Sequence, residues 1–107
     1  MDTPKKLHYL LKLTKQLLLL IPPGKVTTYK ALAEILGVHP RVAGMLVKMN
    51  DEPIVVPCHR VVRSNGELGG YSLGGAYFKR RLLELEGVKF CDTTNRVCEE
   101  FILKRLL

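Results

Sequence analysis

The chain has 107 residues, 47% of them hydrophobic and 25% charged. That is the composition of an ordinary globular protein, and the length suits one domain with a modest core. Seventeen Lys and Arg against ten Asp and Glu leave a net charge of +7, which favours a polyanionic partner, although solubility alone also accounts for a basic balance. The longest aliphatic run, Leu17 to Ile21, falls far short of the ~20 residues needed to span a bilayer. Acidic Asp2 and the lack of a small-residue cleavage pattern argue against a signal peptide, so a cytoplasmic location with reduced thiols is expected.

Residues 4 to 21 are predicted helical. Thr3 can cap the helix, Pro4 suits its first turn, and Leu7, Leu10, Leu11, Leu17, Leu18 and Ile21 recur at the period of one buried stripe. Lys5, Lys6, Lys12 and Lys15 occupy much of the remaining surface; such a helix could lie on a membrane, but packing on its own domain is the expected use. Pro22-Pro23-Gly24 ends it. Lys25 to Tyr29 reads as a short extended lead-in, with Thr27 or Thr28 placed to cap a helix over 29–36 that closes at Gly37. Pro40 then opens a helix running to about Met49, and two short helices around a tight Gly-containing turn predict a helix-turn-helix. On the second helix Val42, Met45, Leu46 and Met49 share the face expected in the core. Arg41, Gly44 and Lys48 share another, where a small residue between two cations lets a phosphate strand come close. The same trio also describes a solvated polar face with an incidental glycine, and the residues alone leave these readings level.

Ile54 to Val62 carries the chemistry. Its β-branched residues favour extended backbone and Pro57 marks a strand end or bend, which places Cys58 at the lip of a short strand with His59 and Arg60 beside it. A thiol there can be held partly as the nucleophilic thiolate, or it can be a small buried hydrophobe, the commoner fate of a lone cysteine. Ser64-Asn65-Gly66 is a tight-turn signal, so 61–70 can include a small hairpin. Gly69 to Gly75 reads as a mobile loop without the Lys-Ser/Thr ending of a phosphate-binding P-loop. Ala76 to Glu86 is predicted helical, rich in Lys79, Arg80 and Arg81 and closed by Gly87. The tail from Val88 holds Cys91 and Cys98, then an amphipathic helix with Val97, Phe101, Ile102 and Leu106 inward.

Pro57-Cys58-His59-Arg60-Val61, followed by Gly66, Gly70-Tyr71-Ser72 and Gly74-Gly75, resembles the active-site segment of the O6-alkylguanine-DNA alkyltransferases. The likeness runs from about residue 7 to Gly87 and leaves 88–107 outside. It implies a single domain, mainly α with a short β element: a winged-helix-like helix-turn-helix carrying the active-site cysteine. In that family the thiolate takes the alkyl group from guanine O6 and keeps it. By position, the resemblance makes Cys58 the nucleophile, His59 its base through an ordered water, Glu86 the carboxylate orienting His59, and Asn50 the tether of this network. A soft thiolate suits an alkyl carbon, and a carboxylate that fixes the histidine tautomer follows triad logic.

A guanine inside a duplex must be flipped out to reach a buried thiol. The resemblance implies that Arg41 enters the stack in its place, from a recognition helix in the minor groove. Gly44 and Lys48 lie on that helix's DNA face, and Tyr29 turns the nucleotide by pushing its phosphate. Tyr71, the Ser72 backbone N–H, the carbonyls of Cys58 and Val61, Pro53, and Val47 (where some relatives place Met) form the base pocket. The implied partner is duplex DNA containing O6-alkylguanine. No cofactor, metal or membrane is implied, and the expected state is a monomer, with a second polypeptide able to replace the N-terminal domain that relatives commonly carry.

Cys91 and Cys98 admit free thiols, a bridge or a metal site. Within one helix they would stand ~10 Å apart, beyond disulfide reach; a bridge needs Cys91 in a turn that folds back and would point to a heat-adapted source. Free thiols are the favoured expectation. Two rivals stand beside transfer. Alkyltransferase-like proteins bind lesions and recruit other repair factors, but they usually carry Trp at the position of Cys58, and this chain has no Trp. A helix-turn-helix regulator of undamaged DNA would leave the Pro57–Val61 motif unexplained.

Overall fold

The computed structural model describes residues 3–69, 74–91 and 95–107. It is mainly helical with a small sheet, of the helix-turn-helix type. Helix α1 (Thr3–Leu18) is followed by strand β1 (Val26–Thr28), then by helices α2 (Tyr29–Leu36) and α3 (Pro40–Lys48). A 3-10 turn over Cys58–Arg60 leads into strand β2 (Val61–Val62) and helix α4 (Gly75–Leu85). Strands β3 (Phe90–Cys91) and β4 (Arg96–Val97), a second 3-10 turn (Glu99–Phe101) and strand β5 (Ile102–Leu103) complete the chain.

Local chemistry sets these boundaries. Pro22 keeps Ile21 out of the α region, and helix α1 ends at Leu18, three residues earlier than expected. Its end tightens instead through Leu20 N–H to Leu17 O at 3.0 Å and Ile21 N–H to Leu18 O at 3.1 Å. The hydroxyl of Thr28 accepts the Ala31 N–H at 3.0 Å and so caps α2, which closes on left-handed Gly37, as its missing Cβ allows. His39 Nδ1 accepts the Arg41 N–H at 3.0 Å, with Pro40 in the first turn of α3.

On α3 the expected core face is corrected by one residue. Ala43, Leu46 and Val47 are buried, while Met45 and Met49 are 47% and 39% exposed. Both stripes have helical spacing, and the one with the small Ala43 is buried because it lets α3 approach α1 and α2 more closely.

Strand β1 is central in a three-stranded sheet. It pairs in parallel with β2 (Thr27 opposite Val61) and with β5 (Val26 opposite Ile102). Successive β2 side chains face opposite sides. Val61 joins the larger core of Leu17, Leu18, Ile21, Leu32, Leu46 and Cys58. Val62 joins a second core with Val26, Leu68, Leu83, Val88 and Val97.

The tail departs from expectation in two ways. Residues 96–103 form β4, a turn and β5 rather than an amphipathic helix, because β1 offers a free edge that β5 fills; Thr27 Oγ1 adds a bond to Leu103 O at 2.8 Å. The inward residues were legible all the same: Val97, Phe101 and Ile102 pack on the second core and Leu106 on the first. Cys91 and Cys98 are not free thiols but a disulfide, their Cα atoms 5.0 Å apart. The antiparallel β3–β4 pair, with Cys91 opposite Arg96, supplies the fold-back that a helix denies. The turn at Ser64–Gly66 forms as expected, with Arg63 N–H to Glu67 O and Gly66 N–H to Arg63 O both at 2.8 Å. Its far limb bridges Arg96 rather than β2.

Candidate active site

Cys58 opens a 3-10 turn directly before β2 rather than sitting at a strand lip. Pro57 forces the bend, and the turn is held by Cys58 N–H to Val56 O at 2.7 Å and Arg60 N–H to Pro57 O at 3.0 Å. The loop leading to it is fastened by Asn50, whose Nδ2 donates to Val56 O at 2.9 Å while its Oδ1 accepts the Glu52 N–H at 3.1 Å. Within that loop Ile54 has φ of 75°, a left-handed conformation that a β-branched residue rarely adopts and that persists where surrounding bonds hold it.

The thiol is 5% exposed, yet it lines the floor of a cleft of about 1270 Å³ with Tyr29, Arg41, Gly44, Val47, Lys48, Arg63 and Gly69. That exceeds the roughly 300–1,000 Å³ of a small-molecule site and leaves room for a nucleotide with part of its strand. Tyr29 spans the cleft. Its Cδ1 lies 3.9 Å from where a Cβ on Gly44 would stand, and its hydroxyl lies 3.8 Å from the equivalent point on Gly69.

Beside the thiol, His59 is 1% exposed and its Nε2 faces Glu86 Oε2 at 3.0 Å. Burial is the main reason its pKa is lowered, against the pull of Glu86. The ring is therefore neutral near pH 7, and a proton on Nε2 toward Glu86 makes Nδ1 its basic nitrogen. Glu86 caps the C-terminus of α4. Burial raises its pKa, but the hydrogen bonds from Arg60 and His59 outweigh burial and hold the carboxyl below its ordinary value. Arg60, expected only as a cation beside the thiol, instead forks onto that carboxylate through Nε at 2.9 Å and Nη2 at 2.6 Å. Its Nη1 donates to Ile21 O at 2.7 Å, tying the end of α1 to the end of α4. Gly24 packs on the same corner: a Cβ there would meet Glu86 O at 3.2 Å.

Lys79 was also missed. It is fully buried, donates to Leu68 O at 2.6 Å and stands 5.9 Å from the centre of the Tyr29 ring. Burial lowers its pKa to about 8; the thiolate form of Cys58 would pull the other way, and Arg63 lowers it further. A signal existed: Ala76, Lys79 and Leu83 fall on one helical face, so Lys79 points inward while Arg80 and Arg81 do not. The Tyr29 pKa is raised mainly by burial and then by the nearness of Cys58, whose thiolate form would repel a phenolate.

Of the residues named from sequence, the structure gathers Cys58, Tyr29, Arg41, Gly44, Val47 and Lys48 around one cleft. His59, Glu86 and Asn50 support its floor. Pro53 is half-buried in the strained loop, and Val61 is wholly buried in the larger core; neither lines the cleft. Tyr71 and Ser72 lie outside the described residues.

A model of the 6-O-methylguanine DNA methyltransferase DNA-binding domain matches residues 12–88. The chain belongs to that family. Within it, the chain is 49% identical over 96 residues to the methylated-DNA–protein-cysteine methyltransferase of Pyrobaculum aerophilum, covering 90% of this chain and 59% of that protein. It is 55% identical over 69 residues to the protein of the same name from Saccharolobus solfataricus, covering 64% and 44%. The chain thus spans about half the length of the curated relatives it matches. Among solved structures, Mycobacterium tuberculosis OGT in complex with DNA superposes with a TM-score of 0.67 at 40% identity, covering 71% of this chain and 48% of that one. S. pombe Atl1, in complex with damaged DNA containing O6-carboxymethylguanine, superposes with a TM-score of 0.68 at 25% identity, covering 97% and 99%. The match to the methyltransferase DNA-binding domain stops at Val88, so the disulfide-closed hairpin and β5 lie beyond it.

Proposed function

We propose that this chain repairs DNA directly, flipping O6-alkylguanine from a duplex and transferring its alkyl group irreversibly to Cys58. The observation that carries this reading is a buried thiol at the floor of a cation-lined, nucleotide-sized cleft, next to a neutral histidine held by a carboxylate. His59 takes the thiol proton through a water, and Glu86, anchored by Arg60, stabilises the imidazolium. The sulfur then attacks the alkyl carbon; the S–C bond forms as the C–O6 bond breaks, and the thiol proton ends on guanine. The thioether does not revert, so each molecule acts once. The Lys79 ammonium attracts the charge on sulfur before attack. Helix α3 lies in the minor groove, where Arg41 fills the place of the flipped base and Lys48 meets backbone phosphate. Gly44 keeps the helix close to the strand, and Tyr29 turns the nucleotide. Val47, Tyr71 and Ser72 receive the base, and the carbonyl of Cys58 accepts from its amine, while Pro53 and Val61 back the loop and strand on either side of Cys58. Asn50 holds the loop in register. Residues 1–107 act as one monomeric domain inside the cell.

The second reading is lesion binding without transfer, favoured by the match to S. pombe Atl1 along nearly its whole length. An intact-mass spectrum after incubation with duplex containing one O6-methylguanine separates the two. A single added methyl, mapped to Cys58 and lost in Cys58→Ser while lesion binding persists, is the expected result. Tight binding with no change in mass would overturn transfer in favour of lesion binding.

A further inference from the structure

The cations of this chain sort by position. Lys15, Arg60, Arg80, Arg81, Arg96 and Lys104 each hold a carboxylate. Among the described residues, the four cations lining the cleft, Lys30, Arg41, Lys48 and Arg63, pair with none. Arg41 and Lys48 belong to α3. Arg63 stands elsewhere, on the turn after β2, five residues from Cys58 and directly continuous with it. The two backbone bonds across that turn fix its Cα, while its side chain is exposed. Its Nε lies 3.6 Å from where a Cβ on Gly69 would stand, the same point that the Tyr29 hydroxyl approaches to 3.8 Å. The guanidinium and the phenol therefore converge on one spot at the mouth of the cleft, across from α3. The charge of Arg63 also reaches both Tyr29 and Lys79, opposing the burial-driven rise of the Tyr29 pKa and adding to the fall of the Lys79 pKa.

A nucleotide that delivers its base to Cys58 leaves its phosphodiester at that mouth, because the phosphate keeps its water and cannot follow the base into an apolar floor. A planar guanidinium without an internal carboxylate is suited to take two phosphate oxygens at once. We propose that Arg63 is a phosphate-binding residue of the cleft, gripping the phosphodiester beside the nucleotide presented to Cys58 from the wall opposite α3. Together with Tyr29 it holds the extruded backbone, while Arg41 and Lys48 hold the duplex from the other side. The inference rests on the repair reading above only for the identity of the nucleotide.

The test uses the full chain and a short duplex with one O6-methylguanine, measuring both binding and single-turnover transfer over a range of KCl. Arg63→Gln is expected to bind the lesion duplex about tenfold more weakly, as for one lost charge-assisted contact, with the slope of log K against log[KCl] reduced by about 0.9. Arg63→Lys should restore the slope and only part of the affinity, since an ammonium lacks the fork. Duplexes with a single uncharged methylphosphonate then locate the contact. At one linkage flanking the lesion, the wild type should fall to the level of Arg63→Gln, and Arg63→Gln should fall no further. An unchanged salt slope, or equal loss at every linkage, would overturn the proposal. So would a drop in transfer from free O6-benzylguanine as large as that from duplex, which would place Arg63 in the chemistry at Cys58. Binding reads the contact even if no methyl reaches Cys58, an outcome that would overturn the transfer reading and leave this one standing or falling by its own slope.

Discussion

Breaking the Cys91–Cys98 bridge is the perturbation whose size the structure allows to be worked out. The partners are seven residues apart, so the bridge closes a loop of about eight residues, and the chain-entropy relation for such a loop gives about 2.5 kcal/mol. For a domain near 100 residues each 1 kcal/mol moves the midpoint by roughly 4–8 °C, so a fall of roughly 10–20 °C is expected. The loss should spread beyond the hairpin. Val97 N–H bonds Gly66 O at 2.9 Å and Leu68 N–H bonds Asn95 O at 3.1 Å, so the bridged hairpin also braces the segment that carries Gly69 and accepts Lys79. The assay is thermal unfolding by circular dichroism, with and without a phosphine reductant, on the wild type and on Cys91→Ala/Cys98→Ala. The double variant should melt with the reduced wild type and ignore the reductant. A midpoint that moves by less than about 2 °C on reduction would refute the reasoning, as would three reactive thiols in the unfolded, oxidised protein.

Gly44→Ala separates a DNA face from a solvated one. The nearest atom to the added Cβ is Tyr29 Cδ1 at 3.9 Å, an ordinary contact, so the variant should gain about 0.5–1 kcal/mol from helix propensity. Lesion-duplex affinity should fall; unchanged affinity in gel-shift titration would return Gly44 to the solvated face. Glu86→Gln keeps a partner for His59 but breaks the fork with Arg60, and should lower stability by about 1–3 kcal/mol and slow transfer. Folding depresses the Glu86 pKa below 4.5, so the folded state holds fewer protons; its stabilisation is present above that value and is lost as pH falls through the lower folded one. Denaturant titrations below pH 5 should show that loss in the wild type and less of it in Glu86→Gln; parallel curves would contradict the assignment. The wild-type rate of transfer should decline as pH rises past about 8, where Lys79 loses its charge; Lys79→Met should abolish that decline and slow transfer at pH 7 by about tenfold. Equal rates with the same alkaline limb would remove Lys79 from the chemistry.

Much of this molecule could be read one residue at a time. Helix α2 begins and ends where Thr28 and Gly37 say, because a cap and a left-handed stop are local chemistry. Proline and glycine placed the breaks, and the Pro57–Val61 motif singled out the thiol and its histidine. What the sequence alone could not decide depends on neighbours distant along the chain. Arg60 and Glu86 stand 26 residues apart, and only the packing of the end of α4 against the turn after Pro57 makes them a fork. The face that Lys79 shares with Ala76 and Leu83 is legible in the sequence, but only the docking of α4 shows that a charged residue on that face is buried against Leu68 O and the Tyr29 ring. The tail departs from its apolar spacing for the same reason: that spacing fits a helix, but the free edge of β1 and a cysteine across the paired β3–β4 strands, its Cα 5.0 Å from that of Cys98, make extended pairing the better burial. Local propensity determined the elements, and tertiary contact decided which of their charged side chains face one another.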